Sequence, residues 1–156
     1  MHVLILYATK YGAAREIAQR ISACLDGAAV HDLKQGEIPA LAGFDCVIMG
    51  SSLYAGSIRK EAKVFLTQHA AQLRDKKVGL FLSGMAPGDA EKYFADNFPA
   101  DILQAAKAAE LLGGIFDPQK AGRMERIIMK AVTKQSGYTN TVSDERIKRF
   151  AELMKA

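Results

Sequence analysis

At 156 residues, with 49% hydrophobic and 24% charged residues, the chain has the length and composition of one folded domain with a full core, and two domains would be hard to fit. Its 21 Lys and Arg against 17 Asp and Glu leave a formal charge of +4, and no biased or repeated segment points to disorder or a repeat array. The apolar runs are strand-sized, well short of the roughly 20 residues a membrane-spanning helix needs, and Met1 leads into "HVLILY" without a charged leader, so a cytoplasmic chain is expected.

The first predicted element is a strand, "HVLILYA", His2 to Ala8. A helix should follow from about Gly12, with Ile17, Ile21, Cys24 and Leu25 recurring at core-facing spacing and Gly27 placed to stop it. "AAVHDL" is a short second strand, and "DCVIMGSS" from Asp45 a stronger third. Behind it the helix "IRKEAKVFLTQHAAQL" should bury Ala62, Phe65, Leu66 and Leu73. "KVGLFLSG", Lys77 to Gly84, is the fourth strand, and its Met-Ala-Pro-Gly turn feeds a helical stretch with a break at Asn97-Phe-Pro99. "AELLGGIF" is expected as the fifth strand. A basic helical segment from about Ala121 to Gln135 and a loop "SGYTNT" then precede the last helix, "SDERIKRFAELMKA", for which Ser143 is a good cap with Asp144 and Glu145 in its first turn.

Apolar strands alternating with helices predict an α/β fold: a five-stranded parallel sheet of order 2-1-3-4-5, helices on both faces. The whole of 1–156 is expected as one unit, with a basic helical insertion at about 117–142. Cys24 and Cys46 belong to no CxxC pair, and His2, His31 and His69 are scattered, so two core thiols and no metal site are expected.

In such sheets ligands bind outside the carboxyl ends of the strands, at the switch point between the first and third. Three loops meet that description. In Ala8 to Ala14, Gly12 and the alanines leave room for backbone N–H groups to close round an anion at a helix start, with Thr9 adding a hydroxyl and Lys10 a charge. An ordinary tight strand-to-helix turn uses the same residue types, so both readings stand for this loop. The three glycines of a dinucleotide site are absent, and Tyr7, Ala8 and Thr9 stand where a magnesium-binding receiver domain needs acids. In Ser51 to Ile58, Leu53 and Tyr54 can cover a flat ring whose edge the backbone beside Gly50 and Gly56 can bond. Ser83 to Gly88 offers Met85 for the same purpose. Each of these two is also readable as a plain turn. Together the three describe a site for a mononucleotide with a large flat head.

"YATKYGAAREIA", with Tyr7, Thr9 and Gly12, resembles the flavodoxin signature, in which a Thr/Ser-rich turn binds the phosphate of FMN; Ala13 and Ala14 stand where that pattern has Asn and Thr. Within that superfamily, "LILYATKYGAAREIA", "VIMGSSLYAGSIRKEAKVFLTQHAAQL" and the late "GGIFDP…RMERIIMKAVTKQSGYTNT" resemble the menaquinone-dependent protoporphyrinogen oxidases. The resemblance implies a flavodoxin-like fold and FMN. Thr9, Lys10, Tyr11, Gly12, Ala13 and Ala14 would hold its phosphate. Ser51, Ser52, Leu53, Tyr54, Ala55, Gly56 and Ser57, with Ser83, Gly84 and Met85, would hold its ring. It also implies oxidation of protoporphyrinogen IX to protoporphyrin IX, a step of heme biosynthesis, with a quinone or another acceptor reoxidising the flavin. The cofactor carries that chemistry, so no protein acid or base is expected to be indispensable.

On a helical wheel Lys120, Arg123, Arg126, Lys130 and Lys134 form one stripe, beside an apolar face of Met124, Ile128, Ala131 and Val132. Arg123, Arg126 and Lys130 are therefore candidates for contact with porphyrinogen propionates or with an anionic membrane surface, at the inner face of the cell membrane. A solvated surface helix explains the stripe equally. Nucleic acid is not expected, because base-reading motifs and interleaved aromatics are missing. The alternative function is an electron carrier docking to redox proteins, a role that a basic chain fits poorly where partners present basic patches; a nicotinamide-dependent quinone or nitro reductase is more remote.

Overall fold

The computed structural model describes residues 1–120, 122, 123, 126, 127, 130 and 137–156. Val3–Ala8 forms β1, every residue buried, as a strand covered on both faces must be. Ala13–Cys24 (α1) turns Ile17, Ala18 and Ile21 inward. Its end is closed by Asp26 at φ 59° and by the Gly27 N–H donating 2.9 Å to the Ser22 carbonyl, a left-handed stop two residues wide. Ala29–Asp32 (β2), Cys46–Tyr54 (β3) and a two-residue Ser57–Ile58 (β4) follow. Lys60–Leu73 (α2) buries Ala62, Phe65, Leu66 and Leu73, the residues its periodicity selects. Lys77–Ser83 is β5. The break at Phe98-Pro99 divides Ala90–Asn97 (α3) from Ala100–Ala105 (α4). Ala108–Leu111 (β6), Ile115–Phe116 (β7), Thr139–Asn140 (β8) and Asp144–Lys155 (α5) complete the described elements, the Ser143 hydroxyl capping α5 by accepting from the Arg146 N–H.

The sheet runs β2-β1-β3-β5-β6, all parallel, with β4 paired antiparallel to β3. Counting the parallel strands alone, this is the expected order 2-1-3-4-5. Leu4, Leu6, Val47, Met49, Leu80 and Leu82 face α2, α3 and α4 through Phe65, Leu66, Phe94 and Ile102. Ile5, Tyr7, Ile48 and Phe81 face α1 and α5 through Ile17, Ile21, Ile147 and Phe150. Phe81 and Phe150 meet edge to face, centroids 6.4 Å apart. Arg20 binds Glu16 and Asp144, each at 2.8 Å, tying α1 to α5 at the surface.

Four expectations are corrected. β3 does not end at Ser52 but continues through Leu53 and Tyr54, because β4 offers those residues an antiparallel partner. "AELLGGIF" is two strands, not one: Gly113 takes φ 98°, a left-handed turn that ends β6 and redirects the chain into β7. The loop "SGYTNT" contains β8, which pairs with β7. Cys46 is fully buried, but Cys24 is only half-buried. Of the basic segment, Arg123, Arg126, Ile127 and Lys130 are helical and exposed. Lys134 and the apolar positions Met124, Ile128, Ala131 and Val132 lie outside the described residues.

Candidate functional site

The first loop is shaped by Thr9. Its Oγ1 accepts the Gly12 N–H at 2.9 Å, and Gly12, at φ 102° and ψ −5°, turns the chain into α1. Gly12 at the N-cap has no side chain to cap this helix, whose first backbone bond runs from the Glu16 N–H to the Gly12 carbonyl. The amides of Ala13, Ala14 and Arg15 therefore stand at the positive end of the helix dipole, flanked by methyl groups too small to block an anion. The Lys10 ammonium lies 4.6 Å from the ring centroid of Tyr54 and 5.3 Å from that of Tyr11, so its charge bridges the first loop to the second.

The second loop is a β-hairpin. Leu53 pairs with Ile58 and Tyr54 with Ser57, and the two turn residues, Ala55 and Gly56, take φ 49° and 81°. Two consecutive positive values make the tight turn whose twist matches its strands; glycine accepts this freely, and alanine does so at a cost. Ser51 is buried, its hydroxyl accepting the Arg59 N–H and donating to the Ser52 carbonyl, each at 2.9 Å, so it braces the hairpin's base. Ser52 Oγ is buried without a hydrogen-bond partner among the described residues. Leu53 and Tyr54 are half-buried, and Ala55 and Ser57 exposed.

From the other side the hairpin is held by a residue that the sequence reading did not select. Asn97, at the end of α3, donates through Nδ2 to the Gly56 and Tyr93 carbonyls, both at 2.8 Å, and accepts the Ile58 N–H at 3.1 Å. In the sequence Asn97 reads only as the end of a helix before Phe-Pro.

The third loop leaves β5 at Ser83, which is buried. The Gly84 N–H donates 3.1 Å to the Gly113 carbonyl, and Leu53 packs so closely on Gly84 that a methyl there would lie 3.0 Å from its Cδ1. Thr141 binds Gly114 in both directions, accepting its N–H at 3.0 Å and donating its own N–H to the Gly114 carbonyl at 2.8 Å. Its hydroxyl lies 3.9 Å from the Met85 sulfur, so the β7–β8 ribbon backs the Met85 loop. On the α1 face of the sheet, burial and the nearby Asp32 carboxylate both raise the Tyr7 phenol above its ordinary range.

Register brings these parts to one edge: Ala8 pairs with Ser51 and Ser52 with Ser83. Uncapped amides, the Thr9 hydroxyl, a hairpin carrying an aliphatic and an aromatic side chain, and a methionine loop thus converge at the carboxyl ends of β1, β3 and β5. The arrangement can hold an anion at the helix end and a planar group against the hairpin. Arg123, Arg126 and Lys130 are helical and exposed. Among the described residues no helix is long and apolar enough to cross a membrane, and no three metal-ligating side chains converge.

Residues 4–143 match the family model described as a flavodoxin domain. No curated protein matches the sequence. Among solved structures, oxidised flavodoxin 2 of Bacillus cereus is 22% identical with a TM-score of 0.61, the match covering 99% of this chain and 98% of that one. Two-electron reduced Megasphaera elsdenii flavodoxin is 20% identical with a TM-score of 0.61, covering 99% of each chain. Fusobacterium nucleatum flavodoxin bound to flavin mononucleotide is 13% identical with a TM-score of 0.54, over 99% and 96%. At these identities the likeness is one of fold, and the family rests on the match across 4–143: the chain belongs to the flavodoxin domain family.

Proposed function

We propose that this member of the flavodoxin domain family binds FMN and serves as an oxidoreductase for a reduced small molecule. The observation that carries the reading is the shared edge of β1, β3 and β5, where the uncapped start of α1 stands beside the Leu53–Tyr54 hairpin. The Fusobacterium flavodoxin, described as bound to flavin mononucleotide, supports the choice of cofactor. The residues fit the group: Thr9 and the Ala13, Ala14 and Arg15 amides suit a phosphate monoester, and the unpartnered Ser52 hydroxyl suits a polar ligand beside the hairpin.

When bound, FMN supplies two-electron chemistry that no side chain here can perform. The chain's part is to bind, orient and exclude water. Thr9 and the α1 amides would hold the phosphate end, Leu53 and Tyr54 would cover the ring, and Gly84 and Met85 would border it from the third loop. Lys10 and Tyr11 would stand with the phosphate loop, Ala55, Gly56 and Ser57 would complete the ring's rim, and Ser51 would act through the hairpin it braces.

The substrate we propose is a porphyrinogen with a quinone as acceptor, as the resemblance of the early, middle and late stretches to the menaquinone-dependent protoporphyrinogen oxidases implies. Exposed Arg123, Arg126 and Lys130 suit its propionates or an anionic membrane surface. A carrier without its own substrate is the second reading, favoured by the near end-to-end match with Bacillus cereus flavodoxin 2 and opposed by the +4 charge. Anaerobic oxidation of protoporphyrinogen IX by the FMN-loaded protein with a menaquinone analogue separates them. Turnover supports the oxidase, and FMN binding without turnover leaves the carrier.

A further inference from the structure

We infer that Asn97 is a positioning residue for the ring-binding hairpin, a latch that sets the Leu53–Tyr54 platform before any ligand arrives. The inference rests on the flavin reading for its ligand and on the hydrogen bonds alone for its mechanics. Asn97 lies beyond the second and third loops in the chain, 39 residues from Ile58 and 41 from Gly56. Its three bonds engage the Gly56 carbonyl at the turn, the Ile58 N–H on the return strand and the Tyr93 carbonyl of its own helix. Two carbonyls and one N–H demand two donors and one acceptor on one short planar group, which the primary amide of asparagine supplies and aspartate does not. Tyr93 adds packing: a methyl on Gly56 would sit 3.5 Å from its Cε1.

The latch matters because the turn is strained on its own. Ala55 holds φ 49° without a side-chain reason to do so, and a two-residue hairpin is marginal by itself. Ser51 fixes the base of the hairpin and Asn97 its turn, so the two carry the platform from opposite ends. A preset platform spares a ring ligand the entropy of ordering the loop, which is how preorganisation raises affinity.

The test separates the two ends of the ligand. Asn97→Ala should weaken FMN and riboflavin by the same factor, about tenfold, since only the ring side is disturbed. In a double-mutant cycle with Tyr54→Ala the losses should be non-additive, because Asn97 acts through the hairpin; simple loss of fold stability would add. In flavin-free protein, hydrogen exchange at Tyr54 and Ile58 should quicken while β1 and β5 stay protected. Asn97→Asp, nearly isosteric, provides the same readouts should the alanine variant fold poorly. Unchanged exchange at the hairpin, additive losses, or a loss for FMN but not for riboflavin overturns the latch. A wild-type protein that binds neither flavin overturns the flavin reading instead, and hairpin-confined exchange would still uphold the latch.

Discussion

Thr9 spends one lone pair on the Gly12 N–H and keeps a proton to donate, so a single hydroxyl shapes the turn and, in the proposed site, would bond the phosphate. Thr9→Ala should weaken FMN about tenfold, in line with the roughly 1.5 kcal/mol of a hydrogen bond to a charged group. Riboflavin, lacking the phosphate, should bind unchanged, and fluorescence titration with the two ligands reads the contrast. Ala13 and Ala14 add no side-chain donor, so in the proposed site the amides would carry the remainder. Cys46 tests the core. Burial pushes its thiol up to about 11 from an ordinary 9.0, so between those values the unfolded chain gives up a proton the folded chain keeps. Stability must therefore fall as pH rises from 9 toward 11, by an amount on the order of 2 kcal/mol. The Tyr7 phenol, also raised, pulls in the same direction. Denaturant titrations across that window should show a shallower fall in Cys46→Ala, and half-buried Cys24 should react first with a thiol reagent.

Among the elements, β3 and α5 give the sharpest predictions. A methyl on Gly50 would collide with the ring of Phe81, one strand over in the sheet, so Gly50→Ala should destabilise by about 1–3 kcal/mol through overpacking. Ser143→Ala removes the cap of α5 and should cost about 1 kcal/mol, with the thermal midpoint reporting both changes. The contrast explains what could be read ahead of the structure. α2 was legible because the 3.6-residue spacing of Ala62, Phe65, Leu66 and Leu73 is a local signal, and β1 and β5 because unbroken apolar runs are. β4, β7 and β8 are two residues each and exist only through their partners, so no local pattern announces them. Leu53 and Tyr54 read as loop because small residues surround them, yet pairing with Ser57 and Ile58 makes them strand.

At the scale of the whole molecule, the alternation of strands and helices fits the doubly wound order that the sheet adopts, and that order carries the loops after β1, β3 and β5 to a single edge. That much of the site was legible, since switch-point geometry depends on topology rather than on any one contact. The bond from the Arg59 N–H to the Ser51 hydroxyl across the hairpin and the proposed latch at Asn97 were not, because the first depends on a hairpin that no local pattern announces and the second on a loop 41 residues away. The measurement that bears most directly on the account is titration of the flavin-free protein with FMN, followed by calorimetry and by the visible spectrum. Saturable one-to-one binding should appear, with a perturbed yellow chromophore and a thermal midpoint that climbs with ligand concentration. Absence of heat, spectral change and thermal shift at high FMN would contradict it.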